Sequence, residues 1–288
     1  MSEAFSRHGR IFSDLYCHMI KAGESGGILD SILSRLAEYL EKAEKLARKI
    51  RGAMMYPLFV LIVAVAVIIV MLLKVVPTFA EMFVSFGGEL PGPTKAVMGL
   101  SSFLQSYFYI ILLITGGGAV FVYRFYKTEK GRFQVDRLLL KLPLLGDLIR
   151  KSSVARFTKT LGTLLGSGIP IIEALRVTSK TAGNRVLEMG IMKALESIKG
   201  GQTIAEPLKE TGIFPPMVLQ MIAVGEKTGK LSEMLDKVSE FYSDEVDSAV
   251  DTLTSMIEPV MIVVMGGIIG VILIAMYLPM FSMASTIG

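Results

Sequence analysis

The sequence has few of the groups on which enzyme chemistry depends. Its 288 residues include two histidines, His8 and His18, and one cysteine, Cys17. A single cysteine excludes an internal disulfide and is typical of a reducing compartment. The phosphate-binding pattern GxxxxGK[ST] is missing, as are HExxH and CxxC. We therefore predict a protein that is not an enzyme, with no catalytic residue, no metal site and no bound cofactor.

Charged residues are missing from three long stretches, Ala53–Leu73, Ala96–Tyr123 and Pro259–Gly288. About 20 apolar residues suffice for a helix to cross a bilayer, and a helix satisfies its own backbone groups in lipid. The stretches predict three transmembrane helices. Their predicted bounds are 58–76, 107–123 and 259–281.

The net charge of +4 is unevenly distributed along the chain. Residues 1–57 carry nine Lys and Arg and residues 124–258 carry nineteen, whereas residues 75–106 carry only Lys95. The positive-inside rule predicts that 1–57 and 124–258 are cytoplasmic. The connection 77–106 is then a periplasmic loop, and 282–288 is a short periplasmic tail. A basic excess distributed in this way predicts a membrane orientation and no nucleic-acid partner.

The sequence repeats itself after a shift of 202 residues, without a gap from Phe12 to Phe79. Self-similarity of this kind indicates duplicated structural units. The first copy begins inside the repeat, so we expect its helical domain, 1–57, to be incomplete and shorter than the second, 124–258. The paired residues include Gly23, Glu24 and Gly27 with Gly225, Glu226 and Gly229, and also Pro57 with Pro259 and Pro77 with Pro279.

Helical periodicity runs through both copies. Phe157, Leu161, Leu164 and Leu165 form one apolar face, and Gly166-Ser167-Gly168 should end that helix. In the first copy an apolar seam is predicted on one long helix. Its members are Leu29, Leu33, Leu36, Leu40, Ala43, Ala47 and Ile50. The predicted fold is all-α, an integral membrane protein with two repeated cytoplasmic helical bundles on three transmembrane helices.

The two Gly-Glu segments are predicted to be turns between helices. Their glycines permit left-handed backbone, and Glu24 and Glu226 are expected at helix N-termini, where the dipole favours negative charge. A structural role is the simpler interpretation, and a partner or metal role is the alternative. Tyr56-Pro57 and Glu258-Pro259 precede the first and third spans.

Two further features suggest contacts between helices. Gly266 and Gly270 lie four residues apart in the third span, a spacing at which small residues let another helix approach closely in lipid. Segment 35–51 has a net charge of +3, and its repeat counterpart 237–253 has −4. Both charged segments are explained as solvated faces, or alternatively as surfaces that meet each other or partners of opposite charge.

The sequence resembles the inner-membrane platform protein shared by type IV pilus assembly and type II secretion, the GspF/PilC family, and more closely its pilus branch. The resemblance covers essentially the whole chain. It depends on the twin Gly-Glu turns, on the two proline dipeptides before the spans, on Leu90-Pro91-Gly92-Pro93-Thr94 and on Leu164-Leu165-Gly166-Ser167-Gly168-Ile169-Pro170.

The resemblance implies a function and a set of partners. A platform protein of the bacterial inner membrane couples a cytoplasmic assembly ATPase to the extraction of pilins or pseudopilins from the membrane and to filament growth. Inner-membrane accessory assembly proteins and further copies of the chain are the other expected partners. The alternatives are a small membrane channel or carrier and a membrane-anchored adaptor. A coupled carrier is disfavoured because the three charge-free stretches also contain no histidine.

Overall fold

A computed structural model describes residues 2–8, 11–85 and 91–287 of the chain. Within these ranges all regular structure is helical and there is no strand, as predicted. The described residues form twelve α-helices and one π-helical turn. In chain order they are α1 Ser2–Ser6, α2 Asp14–Gly26, α3 Leu29–Val70, the π-turn Met71–Val75, α4 Val76–Ser85, α5 Gly92–Tyr126, α6 Glu129–Leu139, α7 Leu145–Gly166, α8 Ile171–Thr181, α9 Arg185–Lys199, α10 Ala205–Glu210, α11 Pro216–Thr228 and α12 Leu231–Ile287.

The chain divides into two compact units. The first, which we call the bundle unit, comprises Met1–Arg51 and Tyr126–Leu253. The second, the apolar unit, comprises Gly52–Phe125 and Thr254–Gly288. Helices α3 and α12 contribute residues to both units.

The bundle unit has one hydrophobic core, and α7 supplies its largest fully buried side chain, Phe157. Phe157, Leu161 and Leu164 are fully buried, which confirms the apolar face predicted for this helix. The ring of Phe157 packs on that of Phe214 with the centroids 4.7 Å apart. Helix α7 ends at Gly166 as predicted, and Gly168 then adopts a left-handed backbone with φ of 77°. Helices α2 and α3 add Met19, Ile20, Ile32 and Leu36 to the same core.

The apolar seam predicted on α3 is wrong in part. Leu33 and Leu40 are 40% and 49% exposed, whereas Ile32 and Leu36 are buried. The buried face of α3 is the one turned toward α7, where the Thr160 hydroxyl donates to the Tyr39 hydroxyl oxygen at 3.1 Å. The repeat counterparts of Leu33 and Leu40 on α12, Leu235 and Tyr242, are buried.

The two copies of the repeat have matching helix bounds. Helix α2 begins at Asp14, and α11 begins 202 residues later at Pro216. Their last residues, Gly26 and Thr228, are also 202 residues apart. The same step relates the first residues of α3 and α12, Leu29 and Leu231. Each copy therefore has a short helix, a 13-residue helix and then a long helix.

The apolar unit contains long apolar helical segments. Three helices are long and apolar enough to cross a membrane, over Leu29–Phe83, Gly92–Tyr126 and Leu231–Pro279. The predicted spans 58–76 and 107–123 fall within the first two, and the third predicted span, 259–281, lies within α12 but extends two residues past Pro279. The segment predicted as a loop, 77–106, is helical over 77–85 and 92–106, so the helices extend beyond the predicted spans. A small apolar core joins them, formed by Leu72, Val76, Val97, Ile272 and Ala275.

Candidate functional site

Both repeat glutamates cap the short helix that precedes them. The Glu226 carboxylate accepts hydrogen bonds from the backbone N–H groups of Ile204 at 2.6 Å and Ala205 at 3.2 Å, at the start of α10. Glu24 accepts from the backbone N–H of Ser2 at 3.2 Å and from its hydroxyl at 2.7 Å, at the start of α1. Free N–H groups at a helix start favour a carboxylate. Each glutamate thus ties a 13-residue helix to the short helix before it.

The position predicted for these glutamates within their own helices is wrong. Glu24 and Glu226 lie in the last turns of α2 and α11, not at a helix start. The reason is that the helices continue through most of the Gly-rich segments. Only Gly27 and Gly229, at the helix ends, adopt left-handed backbone, with φ of 68° and 71°.

The first glycine of each segment permits a close helix approach. A Cβ atom added at Gly225 would lie 2.8 Å from the Leu231 Cα atom, and one at Gly23 would lie 3.1 Å from the Leu29 Cα atom. Both values are below ordinary van der Waals contact, and the obstacle is backbone that cannot rotate away. The glycines therefore set how closely each long helix starts against the 13-residue helix before it.

Pro57 and Pro259 lie inside continuous helices and do not end them. A proline in a helix lacks one N–H donor and leaves the carbonyl four residues earlier without its usual partner. Tyr56 is 62% exposed, and Glu258 and Pro259 are exposed, whereas Pro57 is buried. Pro77 and Pro279 also lie in helices of the apolar unit. Near each of them, a carbonyl affected by the missing N–H accepts a hydrogen bond from another helix.

The carbonyls released by Pro77 and Pro279 both accept hydrogen bonds from α5. Pro279 releases the carbonyl of Ala275, which accepts from the Thr94 hydroxyl at 2.6 Å in a buried contact. Pro77 follows a π-helical turn, Met71–Val75, in which the Val76 N–H pairs with the Met71 carbonyl five residues earlier, so its missing donor affects the carbonyls of Leu72 and Leu73. The Leu73 carbonyl accepts from the Gln105 side-chain amide at 3.1 Å. Together we call these two contacts the proline latches.

A third contact of α5 lies at the π-turn Met71–Val75. A wide helical turn disturbs the usual backbone pairing, and such turns are frequent at functional sites. The carbonyl of Leu72 accepts a hydrogen bond from the buried Ser101 hydroxyl. Thr94, Ser101 and Gln105 thus join α5 to both other apolar helices, and none of them was a sequence candidate.

Gly266 and Gly270 face open space in the apolar unit. A Cβ atom added at either position would have no atom within 4 Å. Their predicted close packing is therefore not made with the described residues of this chain. A helix of another chain remains the proposed partner.

The basic segment of α3 and the acidic segment of α12 meet in the bundle unit. The Lys49 ammonium lies 2.9 Å from the Asp247 carboxylate, and this hydrogen bond raises the lysine pKa. Glu245 pairs with Lys151 of α7 at 2.9 Å, and that lysine also lies 3.0 Å from Asp147. Hydrogen bonds to Glu245 and then Asp147 raise the pKa of Lys151. The acidic segment is thus shared between α3 and α7.

Helix α6 carries a buried carboxylate that faces the start of α9. The sequence gave no reason to select it. Asp136 is 3% exposed. It accepts from the Tyr126 hydroxyl at 3.1 Å and from the backbone N–H of Arg185 at 2.7 Å, and the Arg132 guanidinium lies 3.9 Å away. Asp136 therefore fastens the last residue of α5 to the start of α9.

The two histidines and the cysteine do not form a site. His18 of α2 lies 2.9 Å from the Glu173 carboxylate of α8. Hydrogen bonding to Arg176 is the main reason that the pKa of Glu173 is below its usual value, with His18 adding to it. Over the described part of the chain, no group of three or more His, Cys, Asp and Glu residues is arranged to hold a metal ion.

Over the described residues the chain is a helical protein with a bundle unit and with three helices long and apolar enough to cross a membrane. A sequence model of the family described as "Type II secretion system (T2SS), protein F" matches residues 1–77 and 157–279. The chain belongs to this family. The matched segments contain both copies of the repeat except the last two residues of each.

Relatives in the family carry two kinds of name. The chain is 49% identical to the type IV pilus assembly protein PilC of Myxococcus xanthus, over 99% of this chain and 69% of the relative. It is 46% identical to PilC of Thermus thermophilus, over 100% of this chain and 71% of the relative. Identity to the type II secretion system protein F of Aeromonas hydrophila is 32%, over 100% of this chain and 74% of the relative. The predicted resemblance to the GspF/PilC family is confirmed.

Proposed function

We propose that the chain is the inner-membrane platform of a type IV pilus, or of the pseudopilus of a type II secretion system. The observation that carries the proposal is the similarity to relatives named for pilus assembly, at 46–49% identity over essentially the whole chain. The higher identity to these relatives than to the secretion protein at 32% favours the pilus branch. The three apolar helices are consistent with a multi-pass membrane protein.

In the proposed mechanism the long helices transmit movement. A cytoplasmic assembly ATPase would bind the bundle unit and move it. Helix α12 is continuous from Leu231 to Ile287, with one backbone hydrogen bond missing at each of Pro259 and Pro279, and movement at its bundle end would be transmitted along it. Pilins or pseudopilins would then leave the membrane beside the platform and join the filament, with accessory membrane proteins and further copies of the chain completing the assembly.

Each capped three-helix segment, α1–α3 and α10–α12, would keep its long helix in register with the bundle. The Glu24 and Glu226 contacts and the close approaches at Gly23 and Gly225 support this part of the proposal, because they fix where each long helix begins. A structural role of Glu24 and Glu226 is therefore favoured over a metal role.

Deletion of the gene tests the proposal. We expect the deletion strain to lack surface pili or to lose secretion of type II substrates, and the chain supplied on a plasmid to restore what was lost. Loss of pili alone would assign the chain to the pilus branch, and loss of secretion alone to the secretion branch. A deletion strain with normal pili and normal secretion would contradict the platform function.

A further inference from the structure

A cavity of about 480 Å³ lies in the bundle unit between α3, α7 and α12. Small residues form part of its wall, Ala43 of α3, Ala155 of α7 and Ser239 of α12. Leu235 lies about one turn before Ser239, Leu36 lies about two turns before Ala43, and both leucines are buried in the apolar core. The small side chains of the wall leave room for the cavity beside this core.

Cations outnumber carboxylates in the wall of the cavity. The lining includes five basic residues and three acidic ones, an excess of two positive charges. The basic residues are Lys42, Lys45, Lys49, Arg156 and Lys159, and the acidic residues are Glu240, Asp244 and Asp247.

Three of the five cations have a carboxylate partner. Lys49 pairs with Asp247 at 2.9 Å. Lys159 pairs with Asp236 at 3.1 Å and Lys42 with Glu38 at 2.7 Å, and neither of these carboxylates lines the cavity. Among the described residues, Lys45 and Arg156 have no carboxylate within 4.0 Å. Asp244, one of the three acidic residues of the wall, has no ion pair among the described residues either. Its side chain is exposed to solvent.

Arg156 is held in place but is not neutralised. Its guanidinium donates only to Ser152, to the backbone carbonyl at 3.4 Å and to the hydroxyl at 3.3 Å, both long for hydrogen bonds. On another side lies Gly183, where an added Cβ atom would be 2.9 Å from three guanidinium atoms. Burial lowers the pKa of Arg156. A desolvated cation without a counter-charge is unfavourable, and an anion that entered the cavity would relieve it.

We propose that this cavity binds a phosphate-bearing anion through Arg156 and Lys45. A guanidinium presents paired donors that match the oxygens of a phosphate, and an ammonium adds a point charge. The volume lies within the range of small-molecule sites, about 300–1,000 Å³. The proposal does not depend on the platform function.

Two sources of the phosphate are consistent with the position of the cavity. One is a soluble nucleotide. The other is an anionic lipid headgroup, because Lys49 precedes the charge-free stretch that begins at Ala53 by only four residues. The probes are therefore ADP and phosphatidylglycerol, each presented without the other.

The experiment uses the full chain in nanodiscs. In the first arm, nanodiscs of phosphatidylcholine are titrated with ADP by calorimetry. In the second arm, nanodiscs contain phosphatidylglycerol and no nucleotide, and native mass spectrometry counts the retained anionic lipids. We expect saturable binding in one arm, and we expect Lys45→Gln and Arg156→Gln each to weaken it about tenfold or more, since each removes a charge-assisted contact.

Matched variants separate a site from general attraction. Lys193 of α9 is exposed and lies outside the cavity, so Lys193→Gln should bind as tightly as the wild type. Lys45 is also exposed, so its substitution tests the cavity even if Arg156→Gln unfolds the bundle. The proposal is overturned if neither probe binds saturably at millimolar concentration. It is equally overturned if Lys193→Gln weakens binding as much as Lys45→Gln.

Discussion

At the scale of single residues, Glu24 and Glu226 perform the same task in the two copies. Each carboxylate reaches back 22 residues or fewer to the start of a short helix. A helix of six residues such as α10 has most of its N–H groups without internal partners, so an outside acceptor matters more to it than to a long helix.

We predict that Glu226→Ala loosens α10 without unfolding the bundle. Loss of a charged acceptor at a helix start costs about 1–2 kcal/mol. Amide hydrogen exchange measured by mass spectrometry should become roughly 5- to 30-fold faster in 204–212. The matched control is Glu210→Ala at the exposed end of the same helix, for which no change is expected. Equal protection in Glu226→Ala and the wild type would show that water replaces the carboxylate at no cost.

At the scale of helices, the proline latches connect α5 to its two neighbours. Where the released carbonyl is buried, as at Ala275, water does not compete for it, so a side-chain donor from the next helix is the available partner. Hydrogen bonds between membrane helices contribute about 0.6 kcal/mol on average and up to about 1.7. Thr94 is buried, whereas Gln105 is exposed, so we expect the Thr94 latch to contribute more.

We predict that Thr94→Val weakens the contact between α5 and α12 while the chain still inserts. Valine keeps the shape and removes the donor, so the carbonyl of Ala275 loses its partner. The free energy of unfolding in detergent should fall by about 1 kcal/mol. Thr94→Ser keeps the hydroxyl and should lie close to the wild type. If Thr94→Val were as stable as Thr94→Ser, the hydroxyl would not be the source of the contact.

Helix α12 presents a second face for contacts, at Gly266 and Gly270. We predict that Gly266→Leu combined with Gly270→Leu leaves insertion and folding of the single chain unchanged, because nothing lies within 4 Å of either position. Filament assembly should nevertheless be abolished if another chain packs there, and cross-linking between copies should fall. Leucine at Gly117 of α5, which is equally open, is the control. Normal filaments from the double variant would show that this face contacts only lipid.

At the scale of the whole bundle, the ion pairs of α3 and α12 identify single residues, whereas the sequence identified only two oppositely charged segments. From the sequence, only the whole segments 35–51 and 237–253 could be compared, through their opposite net charges. The structure pairs Asp247 with Lys49 and Glu245 with Lys151, while Arg48 pairs with Glu44 of its own helix at 3.5 Å. Asp247 is therefore the residue whose reversal should be rescued from α3.

We predict that Asp247→Lys lowers the thermal stability of the chain at low salt and that adding Lys49→Asp restores most of the loss. Both residues are solvent-accessible, so the effect should be small and should fade at 1 M salt, where charges are screened within about 3 Å. Glu210→Lys, a reversal at an exposed residue in the last turn of α10 that has no ion pair among the described residues, is the control. A loss that Lys49→Asp fails to rescue, or that salt leaves unchanged, would rule out direct pairing.

The proposed orientation in the membrane is tested by cysteine labelling in intact cells. After Cys17→Ser, an impermeant thiol reagent should label Lys95→Cys and should not label Lys193→Cys, because the positive-inside rule places residue 95 outside and residue 193 inside. Both positions are exposed, so both should react after the cells are opened. Labelling of Lys193→Cys in intact cells would invert the topology. Gly88, in the loop predicted to be periplasmic, is not among the described residues.

The sequence predicted the features that local patterns determine. Three charge-free stretches located the apolar helices, and Gly166-Ser167-Gly168 located the end of α7, because hydrophobicity and backbone freedom act over neighbouring residues. Long-range contacts were not predictable in this way. Thr94 bonds to a carbonyl 181 residues away, and Asp136 receives the backbone N–H of a residue 49 positions later. The exposure of Leu33 and Leu40 was missed because a period shows which residues share a face, not whether another helix covers it.

The proline latches have an evolutionary consequence. A proline at 279 and a hydroxyl donor at 94 depend on each other, since the Ala275 carbonyl gains less from the hydroxyl once a residue with an N–H replaces the proline and supplies the usual helical donor. The same holds for Pro77 and Gln105. In an alignment of the family, each proline and its donor should therefore be lost or gained together. A substitution such as Pro279→Ala, which improves the helix taken alone, should spread only in lineages where residue 94 has already lost its hydroxyl.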